Sequence, residues 1–169
     1  MTEAPYLTTE RLILRPLKPD DSKNLTYLLH PDIQKDAGPF MPHFLDDLPK
    51  HIERIRGDTT WLITINENKV IGDIGVSSKQ RNETGEMGWY LDPGYWRMGY
   101  ATEAGLAIIA YMFFTLKFCK LTALIDSKNI PSRRLAEKLG FNLDCIGYDS
   151  DLYGKKADIC LYSIRNAAI

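Results

Sequence analysis

The chain has 169 residues and a mass of 19.3 kDa, which at ~150 residues per domain is a single unit. Hydrophobic residues make up 44% and charged residues 25%, a composition that excludes disorder, collagen and coiled coil. Lys and Arg total 21 against 22 Asp and Glu, so the net charge is -1 and neither half carries the basic footprint of nucleic-acid binding.

In chain order, residues 11–15 read as a first strand stopped by Pro16. Asp20 and Asp21 are good caps for a short helix with Leu25, Leu28 and Leu29 on one face. Residues 31–49 contain four prolines and read as a long irregular loop, of a kind that often carries function. A second helix is expected over 48–56. Strands follow at 61–65, 70–76 and 86–91, the first two joined by a turn at Asn66-Glu-Asn68. A helix then begins near Thr102, apolar all round its centre and so buried on most sides. After a short strand at 121–125, Pro131 opens a helix that Gly140 closes. Two last strands, 141–146 and 159–164, are expected to be antiparallel. The pattern is α/β: one mixed, mostly antiparallel sheet with a single parallel pair bridged by the Thr102 helix.

Cys119, Cys145 and Cys160 are odd in number and widely spaced, which suits a reducing cytoplasm and neither a disulfide framework nor a zinc site. Cys119 and Cys145 have apolar neighbours and are expected in the core. His30, His43 and His51 share no ligand spacing, so no metal is expected. The first residues lack an export signal, and the apolar stretch 104–116 is too short to span a bilayer. The expectation is one cytoplasmic domain, 1–169, acting without membrane or nucleic acid.

The segment 91–104 carries the chemistry. A strand ends, a glycine-containing loop turns and a long helix starts, which leaves backbone N–H groups free to hold phosphate. Gly94 and Gly99 have P-loop spacing, but Tyr100 and Ala101 stand where Lys and Ser/Thr are required, and no GxGxxG occurs.

Four ordered segments match one family. They are Thr9-Glu-Arg-Leu-Ile-Leu-Arg-Pro16, Gly88-Trp-Tyr-Leu91, Gly99-Tyr-Ala-Thr-Glu-Ala104 and the run from Asn129 to Phe141. The chain resembles the GCN5-related N-acetyltransferases (GNAT), in their ribosomal-protein N-terminal acetyltransferase branch. The resemblance implies the GNAT fold, with helices on both faces of the sheet and a V-shaped splay between its two parallel central strands. It implies acetyl-CoA as donor. The backbone of Arg97, Met98, Gly99, Tyr100, Ala101 and Thr102 would grip the diphosphate. Trp89, Tyr90 and Leu91 would bond the pantetheine arm, and Asn129 and Ser132 would approach it from the other side. The loop departs from the family pattern, with Trp96 in its first position and Arg97 in place of a common glycine.

The same resemblance suggests the acid–base groups. Many members carry a tyrosine where this chain has Ala136, so Ser132 is the candidate to protonate the departing thiolate. Glu86 and Asp144 are the candidate bases, Asp144 by analogy with an acid that partners the helix serine. An α-amine with a pKa near 8 costs only ~1.4 kcal/mol to deprotonate at pH 7, against ~4.6 kcal/mol for a lysine, so a modest base suffices for the former. The first reading of the acceptor is a protein or peptide N-terminal α-amine. A small-molecule amine (polyamine, amino acid or aminoglycoside), a non-catalytic acyl-CoA-binding module and a homodimer stay open. The exposed-looking run Pro39-Phe-Met-Pro-His-Phe44 could wall the acceptor site or simply plug the fold.

Overall fold

The computed structural model describes residues 4–35, 41–55, 59–66, 68–78, 84–149 and 157–167. Eight strands form one sheet in the order β1-β2-β3-β4-β5-β6-β8-β7. They are β1 (Leu7–Thr8), β2 (Ile13–Pro16), β3 (Thr59–Ile65), β4 (Lys69–Ser77), β5 (Thr84–Leu91), β6 (Lys120–Asp126), β7 (Asn142–Asp149) and β8 (Ala157–Arg165). Every neighbouring pair is antiparallel except β5 with β6. That parallel pair needs a crossover, which α3 (Tyr100–Ala110) and a π-helical turn (Tyr111–Thr115) supply.

Two cores explain the layers. On one face α3 and α4 (Ile130–Lys138) pack over Trp61, Ile74, Val76, Met87, Leu121 and Ala123. Trp61 is fully buried, donates its indole N–H to the Pro5 carbonyl at 2.8 Å and meets Tyr111 edge-on at 5.8 Å. On the other face a 3-10 helix (Asp21–Leu29) and α2 (Leu48–Ile55) cover Leu62 with Leu25, Leu28, Leu48 and Ile52. The Arg15 guanidinium forks onto Asp21, Nη2 to Oδ1 at 2.6 Å and Nη1 to Oδ2 at 2.8 Å, and fixes that 3-10 helix to β2. Burial opposes ionisation of Asp21, but its bonds to Arg15, the Lys18 N–H and Asn24 outweigh it and hold its pKa below the usual range. Strand β3 is buried on both faces, which its Thr, Trp and Ile residues suit.

Several expectations are corrected. The strand expected at 11–15 is β2 and begins at Ile13, preceded by an unexpected short strand β1, because Thr9 turns the chain: its N–H donates to the Leu12 carbonyl at 3.0 Å and its Oγ1 accepts from the Leu12 N–H at 3.1 Å. The first helix is 3-10, not α. The loop expected over 31–49 holds α1 (Pro31–Gln34), capped by His30 Nδ1 accepting from Asp32 N at 3.1 Å, and a 3-10 turn (Leu45–Asp47). Pro39 and Phe40 lie outside the described residues; Met41 is buried against α2, and Phe44 is exposed. Cys119 and Cys145 are exposed and only Cys160 is buried, since Cys119 follows the π-helical turn and Cys145 sits at a register shift on the edge strand β7. Among the described residues no helix is long and apolar enough to cross a membrane.

Candidate active site

The parallel register runs only from Thr84↔Lys120 to Glu86↔Thr122. Beyond it β5 stays with β4 as far as Gly72↔Leu91, and β6 stays with β8 as far as Asp126↔Ile159. The central strands therefore part after Glu86 and open a wedge toward their C-terminal ends. Strand alternation decides which groups line it. The Asp92 N–H donates to Ile71 at 2.8 Å, and the Tyr90 carbonyl lies against Gly72, so both backbone groups face β4. Met87, Trp89 and Leu91 consequently turn their backbone groups into the wedge. Tyr90 was expected to offer its backbone there; it does not, because the alternation points it away. Met87 takes that place and was missed, since the phase of a strand is set by its partner.

The loop that follows is tightly tied. The Asp92 Oδ1 accepts from the Gly94 N–H at 2.9 Å, and the Trp96 indole N–H donates to the Leu91 carbonyl at 2.7 Å. Trp96 thus closes the loop onto the strand end. Arg97 at φ 63° and Gly99 at φ 83° are both left-handed. For Arg97 that conformation costs about 1 kcal/mol, the strain of a side chain where the family often has none. Gly99 is the N-cap of α3, whose first intrahelical bond runs from the Glu103 N–H to the Gly99 carbonyl at 3.0 Å. The N–H groups of Tyr100, Ala101 and Thr102 precede that bond and are available for an anion.

Helix α4 starts where β6 ends, at the open end of the wedge. The Asn129 Oδ1 accepts from the Ser132 N–H at 3.1 Å, so Asn129 caps the helix and the Ser132 hydroxyl is spared that task. Ala136 is fully buried in the core. Arg133 donates to the Tyr162 hydroxyl and the Ser127 carbonyl, both at 3.1 Å.

The opposite sheet face, away from α3 and α4, carries the acids. Glu86 and Gly88 are exposed there, and Gly88 stands directly across from Gly75 of β4. A Cβ on Gly88 would meet nothing within 4 Å among the described residues, so the floor beside Glu86 is open there. Across the wedge, Ser163 stands beside Thr122 in register. The Asp144 carboxylate accepts from Ser163 Oγ at 2.8 Å and pairs with Lys120 Nζ at 3.2 Å. Its serine partner is Ser163, not Ser132. Those two bonds, Ser163 first, hold its pKa below the ordinary carboxylate value.

One acidic group on this face was overlooked. Asp73 of β4 is buried, sits in register with Tyr90 and accepts a short hydrogen bond from the Tyr27 hydroxyl. Burial pushes its pKa up to about 7 against the opposing bond from Tyr27. The available signal was an acid inside the apolar run 70–76. Nearby on α2, Arg54 Nη2 lies 2.8 Å from Nδ1 of buried His51. Among the described residues no three His, Cys, Asp or Glu side chains gather for a metal.

A splayed parallel pair and a left-handed loop at a helix N-terminus make a wedge with free backbone groups at its mouth, a geometry that suits an extended anionic ligand. A family model described as an acetyltransferase (GNAT) domain matches residues 11–142. The uncharacterised N-acetyltransferase YnaD of Bacillus subtilis is 28% identical over 80% of this chain and 81% of its own. A GNAT-family acetyltransferase of Bacillus anthracis superposes with a TM-score of 0.83 at 25% identity, over 96% of this chain and 99% of that one. The ribosomal L7/L12 alpha-N-protein acetyltransferase RimL shares the fold, with a TM-score of 0.83 at 16% identity over 95% and 94%. The chain belongs to the GNAT family and is an acetyl-CoA-dependent N-acetyltransferase.

Proposed function

We propose that the acceptor is the α-amine of a protein or peptide N-terminus. The observation that carries this reading is the open floor at Gly88, beside Glu86 where β5 and β6 part. An exposed floor admits the end of a chain, and the α-N-protein activity named for RimL, which shares this fold, accords with it.

When bound, acetyl-CoA supplies a thioester carbonyl that a neutral amine attacks and a thiol that departs. The N–H groups of residues 97–102 hold its diphosphate, and Arg97 and Met98 present theirs through the left-handed turns. The backbone edge of Met87 and Trp89, with the Leu91 N–H beyond it, fits an amide-bearing arm in the wedge, as a strand fits a missing neighbour; the Leu91 carbonyl is already taken by Trp96. Asn129 and Ser132 close the wedge from the α4 side. Glu86 takes the ammonium proton, directly or through one water, from the open face. Ser132 would hydrogen-bond the departing sulfur from the α4 side and pass it a proton drawn from water, so that deprotonation and protonation would occur on opposite faces of the sheet. Asp144 stays ionised beside Lys120 and Ser163 and shapes the charge of the acceptor face rather than acting as base.

The test is acetyl-CoA-dependent thiol release against free-N-terminus peptides and against small amines. Release with peptides supports the proposal; release with polyamines, amino acids or aminoglycosides alone replaces it with a metabolite acceptor.

A further inference from the structure

The segment Thr9-Glu-Arg-Leu12 takes no part in the reaction as derived above, yet it is tied across the fold to α3. The Glu103 carboxylate accepts three bonds from it: Thr9 Oγ1 to Oε1 at 2.6 Å, the Arg11 N–H to Oε1 at 2.8 Å, and Arg11 Nε to Oε2 at 2.7 Å. The same guanidinium crosses to the glycine loop. Its Nη1 donates to the Met98 carbonyl at 3.0 Å, and its carbon stands 4.5 Å over the Tyr100 ring. A Cβ added to Gly99 would come 3.3 Å from Nη2. One side chain therefore abuts three successive residues of the loop.

Two consequences follow from elementary geometry and charge. A planar trans peptide points its carbonyl and N–H in opposite directions. Holding the Met98 carbonyl toward Arg11 turns the Gly99 N–H away from it, to the side left for a ligand. Glu103 also places a carboxylate in the first turn of the helix whose N-terminus must attract an anion. Its burial opposes ionisation, but the bonds from Thr9 and Arg11 outweigh it, so the charge is present and Arg11 cancels it locally.

We propose that Arg11, seated by Thr9, is a positioning residue for the acetyl-CoA diphosphate: it presets the Met98–Gly99 peptide and neutralises Glu103 beneath the loop. This rests on the reading of residues 97–102 as the diphosphate cradle. Sequence order hides it, because Arg11 and Met98 are 87 residues apart.

The experiment titrates CoA, and pantetheine, which lacks the diphosphate, into wild type, Arg11→Met, Arg11→Lys, the double variant Arg11→Met/Glu103→Gln and Gly99→Trp, with unfolding midpoints recorded. Arg11→Met should weaken CoA at least about tenfold and leave pantetheine within about twofold, a difference a merely structural brace does not produce. Arg11→Lys keeps the charge but cannot fork to both Glu103 and Met98, so its loss should be intermediate. Adding Glu103→Gln to Arg11→Met should restore about threefold of the affinity by removing the exposed charge. Unchanged CoA binding, or an equal loss for pantetheine, overturns the proposal. Should Arg11→Met fail to fold, Arg11→Lys decides by the same comparison. Gly99→Trp separates the two readings. If it abolishes CoA binding while Arg11→Met does not, the cradle stands and the brace falls; if neither matters, both fall.

Discussion

The two sides of the wedge are built by different means. The proposed donor side is mostly backbone: the edge of Met87 and Trp89, the Leu91 N–H, then the N–H groups around Gly99, all within a short continuous run. The proposed acceptor side is mostly side chains brought from far apart: Glu86 on β5, Asp73 on β4 under Tyr27, and Asp144 with Ser163 and Lys120. A backbone site tolerates varied side chains, whereas a side-chain site changes specificity with single substitutions. Donor chemistry can therefore be held constant while the acceptor is changed.

Substitutions can break this division. The largest effect is expected from Gly99→Trp, where a side chain would be forced into a left-handed position against Arg11. Acetyl-CoA affinity by calorimetry should fall by more than about 100-fold. Gly88→Phe is its counterpart on the other side, since nothing lies within 4 Å of the added Cβ. Steady-state turnover should drop about 100-fold while acetyl-CoA affinity stays within about threefold, and parallel losses would show that the two sides are not separable.

Ser132→Ala should reduce turnover at least about tenfold with cofactor affinity retained; full activity would remove Ser132 as the acid. Asp73→Asn tests the buried acid by pH. Its folded pKa of about 7 lies above an unfolded value near 3.9, so the folded state holds an extra proton between them. Wild-type stability relative to the variant should be greatest below pH 4, decline by about 4 kcal/mol toward pH 7 and then level off, as read by urea unfolding. A flat difference would mean that Asp73 titrates normally. The smallest effect is expected at Arg97→Gly, which relieves the left-handed strain and should stabilise by up to about 1 kcal/mol in thermal unfolding.

Much of the donor side was legible because its signals are local. The strand at 86–91, Pro93 and Gly94, Gly99 and the helix after it lie in one run of sequence, and the observed elements fall within a few residues of those expectations. The phase of the strand was not legible: the backbone of Met87, and not that of Tyr90, faces the wedge. Asp144 was placed with the wrong serine because its partner is selected by β7–β8 register, with a shift between Leu143 and Cys145 that no sequence pattern announces. Cys119 and Cys145 were misjudged by their neighbours' polarity, which does not report an edge strand or a loop.

By itself, the sequence determined the order of the longer strands and helices, the glycine loop ahead of α3 and the family motifs, since periodicity, turn chemistry and capping act over a few residues. The tertiary structure alone decided where β5 and β6 part, which backbone groups face the gap and which distant side chains meet. Arg11 reaches Glu103 and Met98, and Tyr27 reaches Asp73, only after the sheet has fixed its register. Those pairings depend on long-range strand alignment and burial, neither of which a run of neighbouring residues encodes.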